Sequence, residues 1–214
     1  LICILINMRP KMHREILTKE QIPLLPLVKS FNKNFYLVGG TAVALHIGHR
    51  RSIDFDLFSY KSFKNSDIRK KVKTFSGINQ IIVNHTGEFT FLCNGVKFTF
   101  YNYPFDLEHA EDFEGVIKIP DLLTLAAMKA YALAGRAKWK DYVDLYFILK
   151  NFYNLRDIAN KSANLFKGEF NEKLFRTQLG YFDDVNYAES VEYLPGFEIS
   201  DKKIKEALIE LSLA

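Results

Sequence analysis

The apolar and polar positions of residues 35–74 predict a strand, a helix, a strand and a second helix, in that order. The apolar run Phe35–Val38 predicts a buried strand, and Thr41–Ile47 predicts a compact helix that ends at Gly48. Alternation over Ile53–Phe58 predicts a strand whose apolar residues, Ile53 included, face a core. The segment Asp67–Thr74 predicts a basic helix.

From residue 79 to residue 103 the hydrophobic period becomes two, which predicts an antiparallel meander. Its strands are Ile81–Val83, Glu88–Leu92 and Val96–Tyr103, and Pro104 ends the run. The dipeptide Asn94-Gly95 is a strong hairpin signal between the last two strands.

The last part of the chain has helical periodicity. After a short strand at Val116–Ile119, Asp121 is the expected N-cap of a helix that continues to residue 135. A second helix is expected at about residues 138–152, and the rest is expected to be helical, with a loop near Tyr193–Phe197 and a last helix at Asp201–Leu213.

These elements predict an α+β protein in two parts. Residues 1–119 would form an α/β core with a mixed or antiparallel sheet, and residues 120–214 a C-terminal helical region that completes a cleft. Near the N-terminus, Pro23 and Pro26 are expected to break one or two short helices within residues 13–33.

The composition is that of an ordinary globular protein. Of 214 residues, 48% are hydrophobic and 25% charged, which excludes a disordered chain. The net charge of +4 permits binding to a polyanion such as RNA, although the basic residues are scattered. Cys3 and Cys93 have no metal-ligand spacing, so we expect a reduced, cytoplasmic protein. His46 and His49 have no third ligand nearby in sequence, which favours packing or surface roles.

The N-terminal segment predicts no membrane anchor. Leu1–Ile6 is apolar but far shorter than the ~20 residues that span a bilayer. It lacks the basic start and the cleavage site of a signal peptide. We therefore expect no membrane partner, and Met8 is a candidate translation start with residues 1–7 as an extension.

A glycine pair and two acidic residues are the most informative chemical signal. Gly39 and Gly40 follow the first strand, and Asp54 and Asp56 occupy alternate positions of the second. Alternate side chains of a strand share a face, so both carboxylates should project together, roughly 6.5 to 7 Å apart at the backbone. Such a pair beside a glycine turn can hold Mg²⁺ against a nucleoside triphosphate (NTP). Taken separately, each half of the pattern is more typical of an ordinary turn or a solvent-facing strand, and it is their combination at this spacing that favours a nucleotide site.

The run from Leu37 to Phe58 resembles the polymerase-β-like nucleotidyltransferases, and more closely the AbiEii/AbiGii-type toxin family. The shared pattern is a hydrophobic residue with Gly-Gly, a gap of thirteen residues, and then Asp-hydrophobic-Asp-hydrophobic. The resemblance implies that Asp54 and Asp56 are catalytic residues that bind one or two Mg²⁺ (or Mn²⁺) ions. It also implies an NTP-binding set consisting of Gly39, Gly40, Thr41, Arg51 and Ser52. By residue type alone, Arg50 and Arg51 could equally be solvated surface residues.

A second motif of the same family follows on the two predicted helices. Residues 129–145 fit Lys-x-x-Ala-x-x-x-Arg-x-x-x-Lys-Asp-x-x-Asp-Leu. The resemblance, which covers about residues 36–150, implies that Lys129 neutralises charge on the triphosphate and that Asp141 completes the catalytic set. From residue types alone, salt bridges of Lys129 or Arg136 with Asp141 would explain the pattern equally well.

One departure from the superfamily concerns a third carboxylate, often the general base, on a neighbouring strand. The corresponding strand, Val96–Tyr101, offers Thr99 and no acid, and neither Glu88 nor Asp106 has the expected position. Three options stay open: the acceptor loses its proton without a dedicated base, Asp141 takes the proton, or the protein binds nucleotides and transfers poorly.

The residues and the resemblance together predict a Mg-dependent enzyme. It would transfer a nucleoside monophosphate from an NTP to a hydroxyl of a nucleic acid, such as a tRNA 3′ end, or of a protein. Its implied role is the toxin of a bacterial toxin–antitoxin or phage-defence system, with an antitoxin protein as a partner. Two alternatives remain open: a nucleotidyltransferase-like module that binds nucleotide, RNA or protein with little turnover, and an enzyme that modifies a small molecule.

Overall fold

The structure, a computed structural model, describes residues 12–213. The apolar run Leu1–Ile6, Cys3 and the candidate start Met8 lie outside the described residues. Within them, every helix is too short or too polar to cross a lipid bilayer.

The described residues form seven strands, eight α-helices and three 3₁₀ turns. The strands are β1 (Tyr36–Val38), β2 (Phe55–Ser59), β3 (Gln80–His85), β4 (Glu88–Cys93), β5 (Val96–Asn102), β6 (Glu111–Phe113) and β7 (Ile117–Ile119). The helices are α1 (Leu25–Lys29), α2 (Gly39–Ile47), α3 (Asn65–Lys73), α4 (Leu122–Leu133), α5 (Trp139–Asn151), α6 (Leu155–Phe166), α7 (Glu172–Leu179) and α8 (Asp201–Leu213). The 3₁₀ turns are Arg14–Ile16, Ile22–Leu24 and Lys167–Glu169.

Five strands form a mixed sheet in the order β1-β2-β5-β4-β3. Strands β2 and β5 are parallel, whereas the other three pairs are antiparallel. The hairpin between β4 and β5 turns at Asn94 and Gly95, both of which have positive φ, as the dipeptide predicts. The expected α+β fold with a mixed sheet is therefore confirmed, and β6 and β7 form a separate hairpin against β1.

The two faces of the sheet differ in polarity. Alternate residues on β2, β5 and β4 are almost fully buried in an aromatic and aliphatic core: Phe55, Leu57, Phe98, Phe100, Phe89 and Phe91. Most of the intervening residues are polar or amphipathic, with Phe58 and Leu92 as the apolar exceptions, and they face the opposite side. The period-two pattern of the sequence therefore corresponds to a sheet with one buried apolar face and one largely polar face.

The prediction that Ile53 faces the core is wrong. Strand β2 begins at Phe55, and Ile53 precedes it with 52% of its surface exposed. The segment before β2 is held by other partners, because the Arg51 N–H donates to the Glu192 carbonyl and the Thr41 hydroxyl donates to the Asp54 carbonyl. Asp54 therefore lies just outside the strand that carries Asp56.

The helices begin and end near the residues that the sequence indicates. Helix α2 starts at Gly39 and ends at Gly48, which has φ +75° and caps the helix in the left-handed region. The Asp121 carboxylate accepts a 2.6 Å hydrogen bond from the Thr124 N–H and caps α4. Pro23 and Pro26 are the second residues of a 3₁₀ turn and of α1, so they lie in the first turns of these elements and do not break them.

The helical part of the chain packs directly on the sheet domain. Helices α4 and α5 contact α2, and one continuous hydrophobic core contains residues of both predicted parts. The division at residue 119 stays a prediction. Two elements differ from the expectation: β6 was not anticipated, and residues 180–200 form a loop much longer than the expected Tyr193–Phe197.

Candidate active site

A cleft of about 600 Å³ lies between the polar face of the sheet and the helices α4 and α5. Its floor is built from rows of side chains set by the strand register. One row is Asp56, Thr99 and Thr90, on β2, β5 and β4. The volume falls in the range of small-molecule sites, which is about 300–1,000 Å³.

The two acidic residues of the sequence motif both line this cleft. Burial, and then the negative charge of Asp54, raise the pKa of Asp56 above its usual value. A cation bound between the two carboxylates would relieve this repulsion. A hydrogen bond from the Thr99 hydroxyl partly opposes this rise in the pKa of Asp56.

Lys97 is a further cation at the floor of the cleft. Its Nζ lies 2.6 Å from Asp54 Oδ2. Burial opposes its charged form, but the hydrogen bond and the charge of Asp54 raise the pKa of Lys97 above the usual value. No local sequence pattern indicates this pair, because the register of β2 and β5 brings the two residues together.

The glycine turn leaves space that the acidic and basic side chains fill. A Cβ on Gly39 would collide with the Asp56 carboxylate, and the φ of Gly39 is +71°. A Cβ on Gly40 would lie 2.6 Å from Arg50 Nη2 and 3.1 Å from Ser52 Oγ. Both glycines line the cleft, so their backbone is accessible to a ligand without an intervening side chain.

Thr41 and Ser52 hold the turn together. The Thr41 hydroxyl lies 3.0 Å from Ser52 Oγ and also donates to the Asp54 carbonyl. Ser52 lines the cleft, whereas Thr41 is buried behind it. Thr41 thus supports the segment that carries Asp54 rather than facing the cleft.

A buried ionic network forms the helical wall. Asp144, which is fully buried, accepts hydrogen bonds from Arg50 Nε and Nη2 at 2.7 and 2.8 Å, and its Oδ2 lies 2.7 Å from Lys129 Nζ. Its Oδ1 lies 2.7 Å from Nε2 of His49. Burial opposes ionisation, but Arg50 and Lys129 outweigh it and hold the pKa of Asp144 well below its usual range. His46, in contrast, contacts the Pro120 carbonyl, so both histidines pack in the protein.

Lys129 joins this network to Asp141 at the cleft surface. Lys129 Nζ donates to Asp141 Oδ1 at 2.6 Å. The other oxygen, Oδ2, is buried and has no hydrogen-bond partner within residues 12–213, with Arg136 Nε 3.7 Å away. A buried acceptor with spare capacity at a cleft wall is an atom to which a ligand can donate.

Arg51, like Thr41, is a predicted site residue that does not line the cleft. Its Nε lies 2.7 Å from Glu192 Oε1, and Nη1 donates to the Glu15 and Leu17 carbonyls. Its neighbour Arg50 lines the cleft instead. Consecutive side chains in extended backbone point to opposite sides. The family pattern alone does not show which of the two arginines points to the cleft.

Three more cations and one acid lie at the rim. Lys138 and Lys140 lie 3.3 and 3.2 Å from the carboxylate of Glu189, and Arg136 lies close to them. Burial opposes ionisation of Glu189, but its hydrogen bonds and charge contacts with the two lysines lower its pKa to about 2. Arg136 and Lys140 belong to the second motif, but Glu189 comes from the loop 180–200 and has no local sequence signal.

The charges that line the cleft are mixed, with a slight excess of cations. The basic residues are Arg50, Lys97, Lys129, Arg136, Lys138 and Lys140, and the acidic residues are Asp54, Asp56, Glu88, Asp141 and Glu189. This distribution can bind a polyanion together with a divalent cation.

The donor set of Asp54 and Asp56 fits Mg²⁺ in the presence of a phosphate ligand. Within residues 12–213, His, Cys, Asp and Glu form no cluster of three or more that could bind a metal by itself. Mg²⁺ typically takes one or two carboxylates and fills its octahedron with water and substrate phosphates. Two hard oxygen ligands beside a basic cleft therefore suit Mg²⁺ or Mn²⁺ better than a softer metal.

The comparisons with known proteins agree with this geometry. The family model for the nucleotidyl transferase AbiEii toxin of type IV toxin–antitoxin systems matches residues 27–104 and 86–208. These fold and site features define a nucleotidyltransferase. The chain belongs to the AbiEii nucleotidyltransferase toxin family, which confirms the resemblance seen in the sequence.

Individual relatives are similar over most of the chain. An uncharacterized protein of Aquifex aeolicus (strain VF5) is 31% identical over 208 residues, which cover 90% of this chain and 98% of the relative. MenT4, a nucleotidyltransferase toxin from Mycobacterium tuberculosis H37Rv, is 12% identical with a TM-score of 0.60, over 90% of this chain and 80% of that structure. JHP933 from Helicobacter pylori is 16% identical with a TM-score of 0.54, over 94% and 90%. At these identities the two structures support the fold alone.

Proposed function

We propose that this nucleotidyltransferase uses Mg²⁺ to transfer a nucleoside monophosphate from an NTP to a hydroxyl group. The observation that carries the proposal is that Asp54, Asp56, the glycine turn and six Lys or Arg side chains line one cleft. A triphosphate needs cations and backbone N–H groups, and its metal needs carboxylates. The cleft offers all of them together.

Each group would have a distinct task in the displacement. Asp54 and Asp56 would hold Mg²⁺, which when bound neutralises phosphate charge in the transition state. Gly39 and Gly40 would present the start of α2 to the phosphates, with Ser52 beside them. Lys97, Lys129 and the rim cations would offset the charge that develops on the leaving pyrophosphate.

The chemical step forms a bond between the acceptor oxygen and the α-phosphorus and breaks the bond from the α-phosphorus to the β-bridging oxygen. Pyrophosphate leaves with the electron pair. We assign the acceptor proton to Asp141, because Asp141 lines the cleft and its Oδ2 has no hydrogen-bond partner among the described residues. Thr99, which occupies the strand position next to Asp56, cannot serve as this base.

The biological part of the proposal follows from the family. The protein would act in the cytoplasm as the toxin of a toxin–antitoxin system, with a cognate antitoxin protein as its partner. The acceptor would be a nucleic acid, and the 3′ end of tRNA is the first one to test. A protein hydroxyl is the second.

The direct test supplies purified protein with each α-³²P-labelled NTP, Mg²⁺ and bulk tRNA. We expect label transfer that requires Mg²⁺ or Mn²⁺ and that falls at least a hundredfold in Asp54→Asn and Asp56→Asn. Asp67→Asn, which removes an exposed carboxylate on α3, is the matched control and should leave transfer unchanged. Lack of transfer to tRNA, other RNA and protein acceptors with all four NTPs would refute the proposal.

A second candidate function is nucleotide binding with little turnover. It is favoured by Thr99, which occupies the strand position where the superfamily often has a third acid. In that case Mg-NTP would stabilise the fold without labelled product. A ligand at a hundred times its dissociation constant adds about 2.7 kcal/mol to the free energy of unfolding.

A further inference from the structure

One end of the cleft is aromatic. Phe58, Tyr101 and Glu88 form the next row of the floor beyond Asp56 and Thr99, because Tyr101 is in register with Phe58 on β2 and with Glu88 on β4. The Phe58 and Tyr101 rings contact each other with centroids 5.2 Å apart. Tyr131 of α4 lines the same cleft, and it lies close enough to Tyr101 for the charge of Tyr101 to raise the pKa of Tyr131. We call Phe58, Tyr101 and Tyr131 the aromatic shelf.

The rings of the shelf are partly open to the cleft. All three residues are half-buried, whereas Tyr103 behind them is almost fully buried. Tyr131 is fixed from the other side, where its hydroxyl donates to Glu169 and its ring stacks on Phe166. The shelf is therefore a positioned aromatic surface, and the part of the chain that the structure describes leaves its cleft side open.

The shelf and the phosphate-binding groups lie at opposite ends of the same floor. Along β2 and β5 the rows run from Asp54 and Lys97, through Asp56 and Thr99, to Phe58 and Tyr101. Successive rows on one face are about 7 Å apart, since strands rise about 3.3 Å per residue. Glu189 and its lysines lie at the Lys97 end, because the Glu189 charge contributes to the raised pKa of Lys97. A triphosphate drawn to the cations thus directs the rest of the NTP toward the rings.

We propose that the aromatic shelf binds the nucleobase of the donor NTP and that Glu88 at its edge favours bases with an amino group. This inference rests on the proposed function and adds the substrate preference of the same cleft. Every base has a π-face, so rings give affinity, whereas a polar group at the base edge gives selectivity. Glu88 would supply that selectivity.

Glu88 has the chemistry for this role. Among residues 12–213, the contacts of its carboxylate are long, 3.5 Å to Thr90 Oγ1 and 3.5 Å to His85 Nε2. An ionised carboxylate accepts hydrogen bonds and cannot donate them. It therefore suits the amino groups of cytosine, adenine and guanine and opposes the carbonyl that uracil presents in place of the cytosine amino group.

The shelf is tested by comparing NTP binding with binding of inorganic tripolyphosphate. Titration calorimetry with Mg²⁺ and the α,β-imido analogues of ATP, CTP, GTP and UTP measures affinity without turnover. In Tyr101→Leu the analogues should bind about ten- to a hundredfold more weakly, as for a lost base–aromatic stack, and tripolyphosphate should bind unchanged. Tyr131→Leu is a second variant, and Tyr101→Phe should retain affinity. Tyr60→Leu, at an exposed tyrosine outside the cleft, is the matched control.

The Glu88 arm uses the isosteric change Glu88→Gln. Wild type should prefer the CTP analogue over the UTP analogue by about tenfold, and the amide, which can donate as well as accept, should reduce this ratio toward one. Equal binding of the two analogues by wild type would overturn the role of Glu88. Equal weakening of tripolyphosphate and NTP analogues in both Leu variants, or no weakening of either, would overturn the shelf.

These outcomes are independent of the transfer assay. If labelled product forms but the shelf variants bind NTP as tightly as wild type, the nucleobase subsite is refuted and the proposed function still stands. Analogue binding that depends on Tyr101, without any labelled product, refutes the proposed transfer and supports the subsite.

Discussion

At the scale of single residues, Asp144 fixes the side chains that face the candidate site from the helical wall. Arg50, Lys129 and His49 all contact its buried carboxylate, and two of these three partners reach the cleft. Loss of one partner from a buried ionic pair typically costs 3–5 kcal/mol. The network therefore couples the stability of the fold to the position of Arg50 and Lys129.

The buried histidine of this network makes stability depend on pH. Burial lowers the pKa of His49, although its contact with Asp144 partly opposes this shift. The unfolded chain then binds a proton near pH 6.5 that the folded chain does not, so the free energy of unfolding should decrease as pH falls below about 6.5. His46, whose pKa burial also lowers, adds to the same slope.

His49→Gln keeps a side-chain N–H that can donate to Asp144 and removes the titration. We expect the loss of stability between pH 6.5 and 5 to be smaller in this variant than in wild type, as measured by urea unfolding at several pH values. His85→Gln, at an exposed histidine, is the control and should keep the wild-type slope. An unchanged slope in His49→Gln would show that His49 is not buried in its neutral form. At about pH 4 and below, protonation of Asp144 should add a second loss in both proteins.

At the scale of elements, the conformation of the turn between β1 and α2 affects the position of the Asp56 carboxylate, because Gly39 lies directly against it. Gly39→Ala places a methyl group against the Asp56 carboxylate at a positive φ. We expect it to lower NTP transfer by about a hundredfold, since an error near 1 Å in a reacting group can cost that much. It should also lower the free energy of unfolding by about 1–3 kcal/mol through backbone strain.

Gly77→Ala separates these two effects. Gly77 has φ +92°, and a Cβ there meets open space. This variant should lose a similar amount of stability and keep full transfer activity. If Gly39→Ala and Gly77→Ala have equal transfer activity, the contact with Asp56 does not matter for catalysis.

Local patterns predict most elements, and the exceptions depend on distant contacts. The period-two strands, the Asn94-Gly95 hairpin and the Asp121 cap follow from neighbours in sequence. The start of β2 does not, because Glu192 and Thr41 hold the preceding segment out of the ladder. The loop 180–200 was also mispredicted, since it is held by backbone contacts with residues 49–51 and 137–139 rather than by its own periodicity.

The same distinction applies to the site. The motifs lead to Gly39, Gly40, Ser52, Asp54, Asp56, Lys129 and Asp141, which all line the cleft. They do not reveal Lys97 or Glu189, because strand register and a distant loop bring these residues in. They also cannot separate Arg51, which points to Glu192, from Arg50, which points to the cleft.

At the scale of the whole molecule, the C-terminal part places an acid on the basic rim of the cleft. Glu189 is ionised at neutral pH and occupies Lys138 and Lys140. In the proposed function, the triphosphate binds these lysines in place of Glu189. We expect Glu189→Gln to bind tripolyphosphate and NTP about two- to fivefold more tightly in calorimetry, a size typical of partly exposed ion pairs.

Glu192→Gln is the matched control for this prediction. Glu192 lies in the same loop but pairs with Arg51 away from the cleft, so tripolyphosphate affinity should stay at the wild-type value. Weaker binding in Glu189→Gln would contradict the competition and would mean that Glu189 orients the two lysines for the substrate.

The central claim is that Asp54 and Asp56 share a divalent cation with an NTP whose phosphates lie at the Gly39-Gly40 turn. A crystal structure with Mn²⁺ and an α,β-imido NTP, recorded at the manganese absorption edge, tests it most directly. We expect one or two anomalous peaks about 2.0–2.2 Å from oxygens of both carboxylates, with the triphosphate between α2 and the cleft lysines. A bound nucleotide with its manganese away from both carboxylates would contradict the account.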